Sequence, residues 1–504
     1  MRGMYINCDN NHLPASKTIS ERYSKEFVFP EKLGQGKVIY SDTEWSSAPI
    51  FEYEGNVFIV AGWFVYKGER NDFPLLAKDI LSEGGEAVNN VEAGSFIIYW
   101  WDGKVARIIV DPMGLSSHYI DCLADNLKIA PSVKVLFSEN VHRLNNDMVS
   151  VLTKKNHLFG NYTLYKGIER LDPGSVYSVN GVKKYFEIAN SIEDDFSYLG
   201  NEIGILGNNW NKTEKILPLS SGLDSRFILA NTRFEYGFTY GPDNSPEINI
   251  TSQFSSEFEH YYSFDFCKEP IAQYEPEVLA EMSFGVINPI PRLLTNYLHV
   301  KETFPKANAF FEGYLGDVFQ RGTFITFKGV LGELFKIFPW VYKLKGIDEL
   351  FILKRRYKEL SDKEFWILLK DYKEKTQGLA LNGYQKVTYY EFLYGRGGRY
   401  AVFGSNILAA QVFTVVSPFT HKKIFSALIK QNFSEAVSYK TMKSLWSRVK
   451  GKYSARKVES GYSPSSYSLL IPFIQIIYRL MFHFVPSRAN YGIQLSRTQT
   501  NKAK

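Results

Sequence analysis

The sequence predicts two successive folds: an α+β part rich in strands to about residue 190, then an α/β part built on a parallel sheet over residues 191–504. Three observations carry this reading. Residues 57–66, 95–101 and 105–110 are apolar runs of strand length, and Asp102 with Gly103 between the last two is a hairpin signal. Residues 216–219 form a short apolar run of the kind buried in a parallel sheet, followed by small residues and a helical pattern from Phe227. Beyond them, strand-like and helix-like segments alternate.

In the first part, residues 74–81 have the pattern of a short amphipathic helix. Turns are expected at Asp111 to Gly114 and at Asp172, Pro173 and Gly174. In the second part, residues 236–241 read as the next strand, with a glycine exit at Gly241. Ser245, Pro246 and Glu247 then open a helix, because serine caps, proline suits the first turn and the acid suits the dipole. Residues 307–311 are a further short apolar run. Residues 323–375 form a charged, largely helical insert, in which Leu331, Phe335 and Phe338 make a core stripe ended by Pro339. Residues 468–485 are apolar but interrupted by Pro472, Gln475, Arg479 and His483, which predicts a buried or interfacial helix and no transmembrane span.

With 504 residues, 45% hydrophobic and 22% charged, the chain has globular composition and length for two cores, which excludes pervasive disorder. Cys8, Cys122 and Cys267 show no metal spacing and read as reduced thiols. No apolar segment follows a basic start, so a cytoplasmic location is expected. The net charge of +6 gathers at the C-terminal end, where residues 441–504 hold eleven basic residues against one acid, Glu459. Such an end suits a polyphosphate, an acidic substrate, a membrane surface or nucleic acid, and its last few residues read as a solvated tail.

The chemistry concentrates in residues 217–226. A strand, a small-residue turn and a helix start present unpaired N–H groups and the positive end of a dipole, which together favour an anion. Ser220, Ser221 and Ser225 add hydroxyl donors, and Gly222 permits close approach of the backbone. Asp224 would repel a phosphate unless a bridging Mg²⁺ removes the conflict.

This stretch resembles the S-G-G-x-D-S pyrophosphate loop of the ATP-pyrophosphatase superfamily, with Ser221 at a usual glycine. Gly94, Ser95, Phe96, Asp102, Asp111, Gly114 and Tyr119 are similar, in order, to the glutaminase domain of asparagine synthetases. Residues 163–175 resemble the segment linking that domain to the synthetase domain. Thr239 and Gly241 resemble the strand exit bordering the adenine pocket. Gly313, Gly316 and Asp317 resemble the second signature, G-x-G-x-D-E-x-x-x-G, with wider glycine spacing and Val318 for glutamate. A late segment containing Arg396, Arg399, Ser417, Pro418 and Phe419 is similar too, with His421 where aspartate is common. Arg396 and Arg399 are candidates for phosphate or carboxylate contact, and equally for surface salt bridges.

The resemblance spans residues 55–425 apart from the insert. It implies an N-terminal-nucleophile-type β-sandwich domain over residues 1–190, then an asparagine synthetase-like ATP-pyrophosphatase domain over 191–504. It further implies ATP contacts from Ser220, Ser221, Gly222, Asp224, Ser225, Thr239, Gly241, Gly313 and Gly316, and Mg²⁺ on Asp224 and Asp317. Glutaminase chemistry is expected to be absent. It needs an N-terminal cysteine with a free α-amine, whereas the chain reads Met1, Arg2, Gly3, and Cys8 lies inside a strand-like run. Ala61 and Gly62 also replace the family's Asn-Gly pair. The implied activity is ATP-dependent amide formation. A small-molecule or polymeric carboxylate is adenylated, pyrophosphate leaves, and an amine or ammonia displaces AMP, with no nucleic acid involved and with room for a homodimer. An asparagine synthetase using ammonia or glutamine and a non-catalytic nucleotide-binding scaffold are the alternatives.

Overall fold

The computed structural model describes residues 3–8, 25–31, 34–40, 50–188, 196–243, 245–265, 291–327 and 330–484. The boundary expected near residue 190, Cys267, and the basic residues from Arg488 onward lie outside the described residues.

Among the described residues, the first part forms two larger antiparallel sheets. One contains strands Met4–Ile6, Lys25–Glu31, Gly34–Tyr40, Tyr119–Asp121, Ile129–Ala130 and Ile168–Arg170. The other is centred on Asn56–Tyr66, Val91–Trp101 and Ala106–Val110, the runs expected from the sequence. Successive side chains of a strand point to opposite faces, and the burial follows that rule. Ile59, Ile97 and Ile108 pack toward Met4, Phe29 and Val38 of the first sheet. Their neighbours Phe58, Val60 and Ile98 pack on the other side, under helix Phe73–Glu83. That helix starts where Asp72 accepts from the Leu75 amide at 3.2 Å. The Asp102 carboxylate likewise pins the hairpin turn by accepting from the amides of Lys104 and Val105.

The second part contains a parallel sheet of β1 (Lys215–Pro218), β2 (Phe234–Tyr240), β3 (Phe258–Phe264), β4 (Ala309–Phe311) and β5 (Thr414–Val416). Its order is β3-β2-β1-β4-β5, every pair parallel. Ile216 and Leu217 of β1 are fully buried, as the apolar run requires. Strand order reverses between β1 and β4, so the segments leaving their C-terminal ends part and open a crevice. These segments lead into α1 (Asp224–Asn231) and α2 (Pro246–Thr251) after β1 and β2, and α4 (Gly316–Arg321) after β4; α3 (Pro291–Thr303) precedes β4. Ser245 caps α2 by accepting from the Ile248 amide, with Pro246 in the first turn.

The insert is helical as expected, with Val330–Ile337, Val341–Leu344, Glu349–Arg356 and Asp362–Thr376. One member of its stripe differs. Phe335 packs against the core, whereas Phe338 is 47% exposed, because the helix ends at Ile337 and Phe338 falls in the turn with Pro339. Helix Ile471–Phe484 buries Ile471 but leaves Phe473, Ile477 and Leu480 exposed. No helix among the described residues is long and apolar enough to cross a membrane.

Buried arginines weld the two parts. Arg170 donates to the carbonyls of Leu393 at 2.7 Å and Gly114 at 3.0 Å. Arg399 donates to the carbonyls of Gly160 at 2.7 Å and Tyr162 at 2.8 Å. Arg399 is therefore a strut between the parts and not a surface ion pair, and its side chain is spent on backbone oxygens. Burial lowers its pKa to about 10, still well above neutrality. Trp63 adds an indole N–H to the carbonyl of Val415 in β5, at 2.9 Å.

Candidate functional site

The switch-point crevice encloses about 310 Å³. Ser220 lines it from the loop after β1, Asp224 and Ser225 from the first turn of α1, Glu312 and Gly313 from the loop after β4, and Asp317 from the first turn of α4. Tyr240 closes the side toward β2. Two segments more than eighty residues apart in the chain thus meet at one edge of the sheet, and two glycines allow it. A Cβ on Gly313 would stand 2.8 Å from the Ser225 amide nitrogen, and one on Gly316 would stand 2.7 Å from Asp224 Oδ1. Between them Leu315 holds a left-handed backbone, with φ of 67°, which a branched side chain adopts only under tertiary constraint.

Three amides of the loop after β1 already have acceptors. The Ser220 amide donates to Ser225 Oγ at 3.0 Å, and the Gly222 amide to Ser220 Oγ at 3.2 Å. Ser221 turns away from the crevice: its amide donates to Glu247 Oε1 at 3.0 Å and its hydroxyl to Glu247 Oε2. Fully buried Arg226 fastens the loop from behind, donating to the carbonyls of Ser221 at 3.1 Å and Arg456 at 2.6 Å. Thr239 is buried too; it donates to the Leu219 carbonyl at 2.7 Å and accepts from Tyr261 at 2.9 Å. The Gly241 amide bonds the Phe264 carbonyl. The structure therefore brings Ser220, Asp224, Ser225, Gly313 and Asp317 to the crevice wall, with Gly316 packed behind it. Ser221, Gly222, Thr239 and Gly241 shape the loop and strand ends without lining the space.

Asp224 and Asp317 do meet, but with a cation already between them. Arg321 Nη2 lies 3.6 Å from Asp224 Oδ2 and 4.0 Å from Asp317 Oδ2. Gln320 donates to Asp224 Oδ1 at 2.7 Å, and Thr323 to Asp317 Oδ2 at 2.9 Å. Burial raises the Asp224 pKa to about 7 against the pull of Arg321, and the charge of Asp317 adds to the rise. Mg²⁺ requires near-octahedral oxygen ligands at roughly 2.0–2.1 Å. A carboxylate pair neutralised by a guanidinium and holding two neutral donors does not fit a resident Mg²⁺. Among the described residues, no group of three or more His, Cys, Asp or Glu is placed to hold a metal.

Glu312 was not singled out by the sequence reading. It lies directly after β4 and is 6% exposed. Ser405 donates to its Oε1 at 3.2 Å, while Oε2 is buried without a partner. Burial raises its pKa to about 8. A carboxyl at the tip of an apolar strand, just before a glycine of the second signature, was the available signal. Arg226, Gln320 and Arg321 were missed, since each also reaches a partner distant in sequence: Arg456 for the first and Asp224 for the other two.

Elsewhere the expectations divide. Cys8 is buried, with its thiol against the carbonyls of Ile6 and Ile129 at 3.4 Å. Beside Ala61 and Gly62 the cavity is about 40 Å³, room for a few waters and not for an amino-acid substrate. Arg396 is exposed and lines a neighbouring cleft with Thr323, Arg355 and Lys358. His421 is buried, which lowers its pKa to about 3 and keeps it neutral. No protein-family model matches the chain, and no curated protein matches it.

Proposed function

We propose that this chain is an ATP-dependent amide-forming ligase that adenylates a carboxylate, releases pyrophosphate and hydrolyses no glutamine. The observation that carries the reading is the meeting of the two signature-like loops at the switch point of a parallel sheet, where α/β sheets bind their ligands. Ser220 and Ser225 bring hydroxyls to the phosphates, and the start of α1 brings its dipole. The substrate carboxylate attacks the α-phosphorus, the bond to the bridging oxygen breaks, and pyrophosphate leaves. The amine or ammonia then attacks the acyl carbon and AMP departs. Glu312 in its ionised form, a fraction that grows as pH rises toward about 8, takes the proton that the amine loses, and its unpartnered oxygen supplies the acceptor. Mg²⁺ would enter as the counter-ion that ATP carries in solution.

The buried thiol of Cys8 and the small cavity at Ala61 support a first domain that acts as scaffold. The internal partners of the Ser221 and Gly222 amides favour one second reading, a nucleotide-binding scaffold without turnover. Calorimetric titration with Mg·ATP, followed by pyrophosphate release across a panel of carboxylates and amines, separates the two. Binding with release establishes the ligase, and binding without release on every pair leaves the scaffold. No nucleotide binding removes both.

A further inference from the structure

Arg321 closes the last turn of α4, where its guanidinium stands in the gap between the two loops. The arrangement is held from behind. Trp446 donates its indole N–H to Gln320 Oε1 at 2.9 Å, and an indole can only donate, so the Gln320 amide nitrogen must face Asp224. Asp224 Oδ1 is thereby committed to an N–H, Asp317 Oδ2 to the Thr323 hydroxyl, and the charge of the pair to Arg321. The guanidinium also meets the Tyr462 hydroxyl, and with its side chain 36% exposed it can still be reached by a ligand. Arginine stays charged at any working pH and matches phosphate oxygens by geometry.

We propose that Arg321 is the resident cation of this site: it closes the Asp224–Asp317 pair to a divalent ion in the nucleotide-free protein, and it makes a phosphate oxygen the ligand that this end of the crevice takes. The phosphate half rests on the nucleotide reading above; the exclusion of metal does not.

The test begins with Mn²⁺ titration of the nucleotide-free full chain, read by electron paramagnetic resonance. Wild type shows no site attributable to the pair. Arg321→Gln, shown to be folded by its melting temperature, gains one site, and adding Asp224→Asn removes it again. Arg321→Lys keeps the positive charge and stays closed. A wild-type site that disappears in Asp224→Asn overturns the exclusion, as does a folded Arg321→Gln that gains nothing. The second arm titrates inorganic pyrophosphate in the presence of EDTA. Wild type binds, Arg321→Gln binds at least about tenfold more weakly, as expected for losing a charge-assisted bond, and Arg321→Lys retains most of the affinity. A wild type that binds Mg·ATP but no metal-free pyrophosphate overturns the phosphate half alone. A wild type that binds neither overturns the nucleotide reading, and the Mn²⁺ result then decides the exclusion separately.

Discussion

Glu312 and Ser220 face the same crevice from opposite loops, and each supports a measurement. Because burial raises the Glu312 pKa to about 8, the folded chain holds a proton there that the unfolded chain releases near 4.5. Between those values the native state binds more protons, so this group's contribution to stability falls as pH rises, and above 8 it is a constant penalty. Glu312→Gln removes that penalty. Its melting temperature should match wild type near pH 4 and exceed it increasingly up to pH 8, with an upper bound of about 5 kcal/mol. A difference independent of pH would show that the carboxyl is not perturbed. Ser220→Ala removes a hydroxyl from the phosphate side of the crevice. It should weaken nucleotide binding by roughly 1.5–3 kcal/mol, one to two powers of ten, in calorimetry.

At the scale of elements, the site depends on how closely the loop before α4 approaches the loop before α1. Gly313→Ala places a methyl 2.8 Å from the Ser225 amide nitrogen, a backbone atom that cannot swing aside. The loops must separate, costing about 1–3 kcal/mol of stability and displacing Asp317 from Asp224. Nucleotide affinity should fall with it. Gly222→Ala is the control, since its methyl meets only the Ser220 hydroxyl, at 3.2 Å. Equal stability losses in the two variants, measured by denaturant midpoints, would remove the close approach as an explanation.

Across the whole molecule, Arg170 and Arg399 bind the antiparallel part to the parallel part through backbone carbonyls, and the bonds to Leu393, Gly114 and Gly160 are buried. Arg170→Met leaves the oxygens of Leu393 and Gly114 without that donor, and each buried unmatched acceptor costs about 1–3 kcal/mol. Unfolding of this variant should lose cooperativity between the two parts, read as separate transitions by fluorescence and by calorimetry. Coincident transitions at an unchanged midpoint would mean that the weld lies elsewhere. The first part is also expected to release no glutamate from glutamine, and a glutamine-mimicking electrophile should label Cys8 only after unfolding. Glutamate release that vanishes in Cys8→Ala would restore glutaminase chemistry to the proposal.

The sequence by itself determined what local spacing controls. The runs at residues 57–66 and 216–219 became strands because their alternation or continuity leaves them no other way to bury apolar surface. Ser245, Pro246 and Asp102 placed a helix start and a turn through bonds spanning two or three residues. Gly313, Gly316, Asp224 and Asp317 were legible as a spaced pattern, and the sheet order brought them together. Only the tertiary structure decided the charges and partners at that meeting. Arg321 reaches Asp224, Glu247 claims Ser221 and Arg399 spans the two parts through contacts set by tertiary topology and not by sequence separation. The unmatched oxygen of Glu312 has the same origin. A carboxylate after a strand is ordinary in a sequence, and burial without a second donor exists only once the surrounding walls have closed.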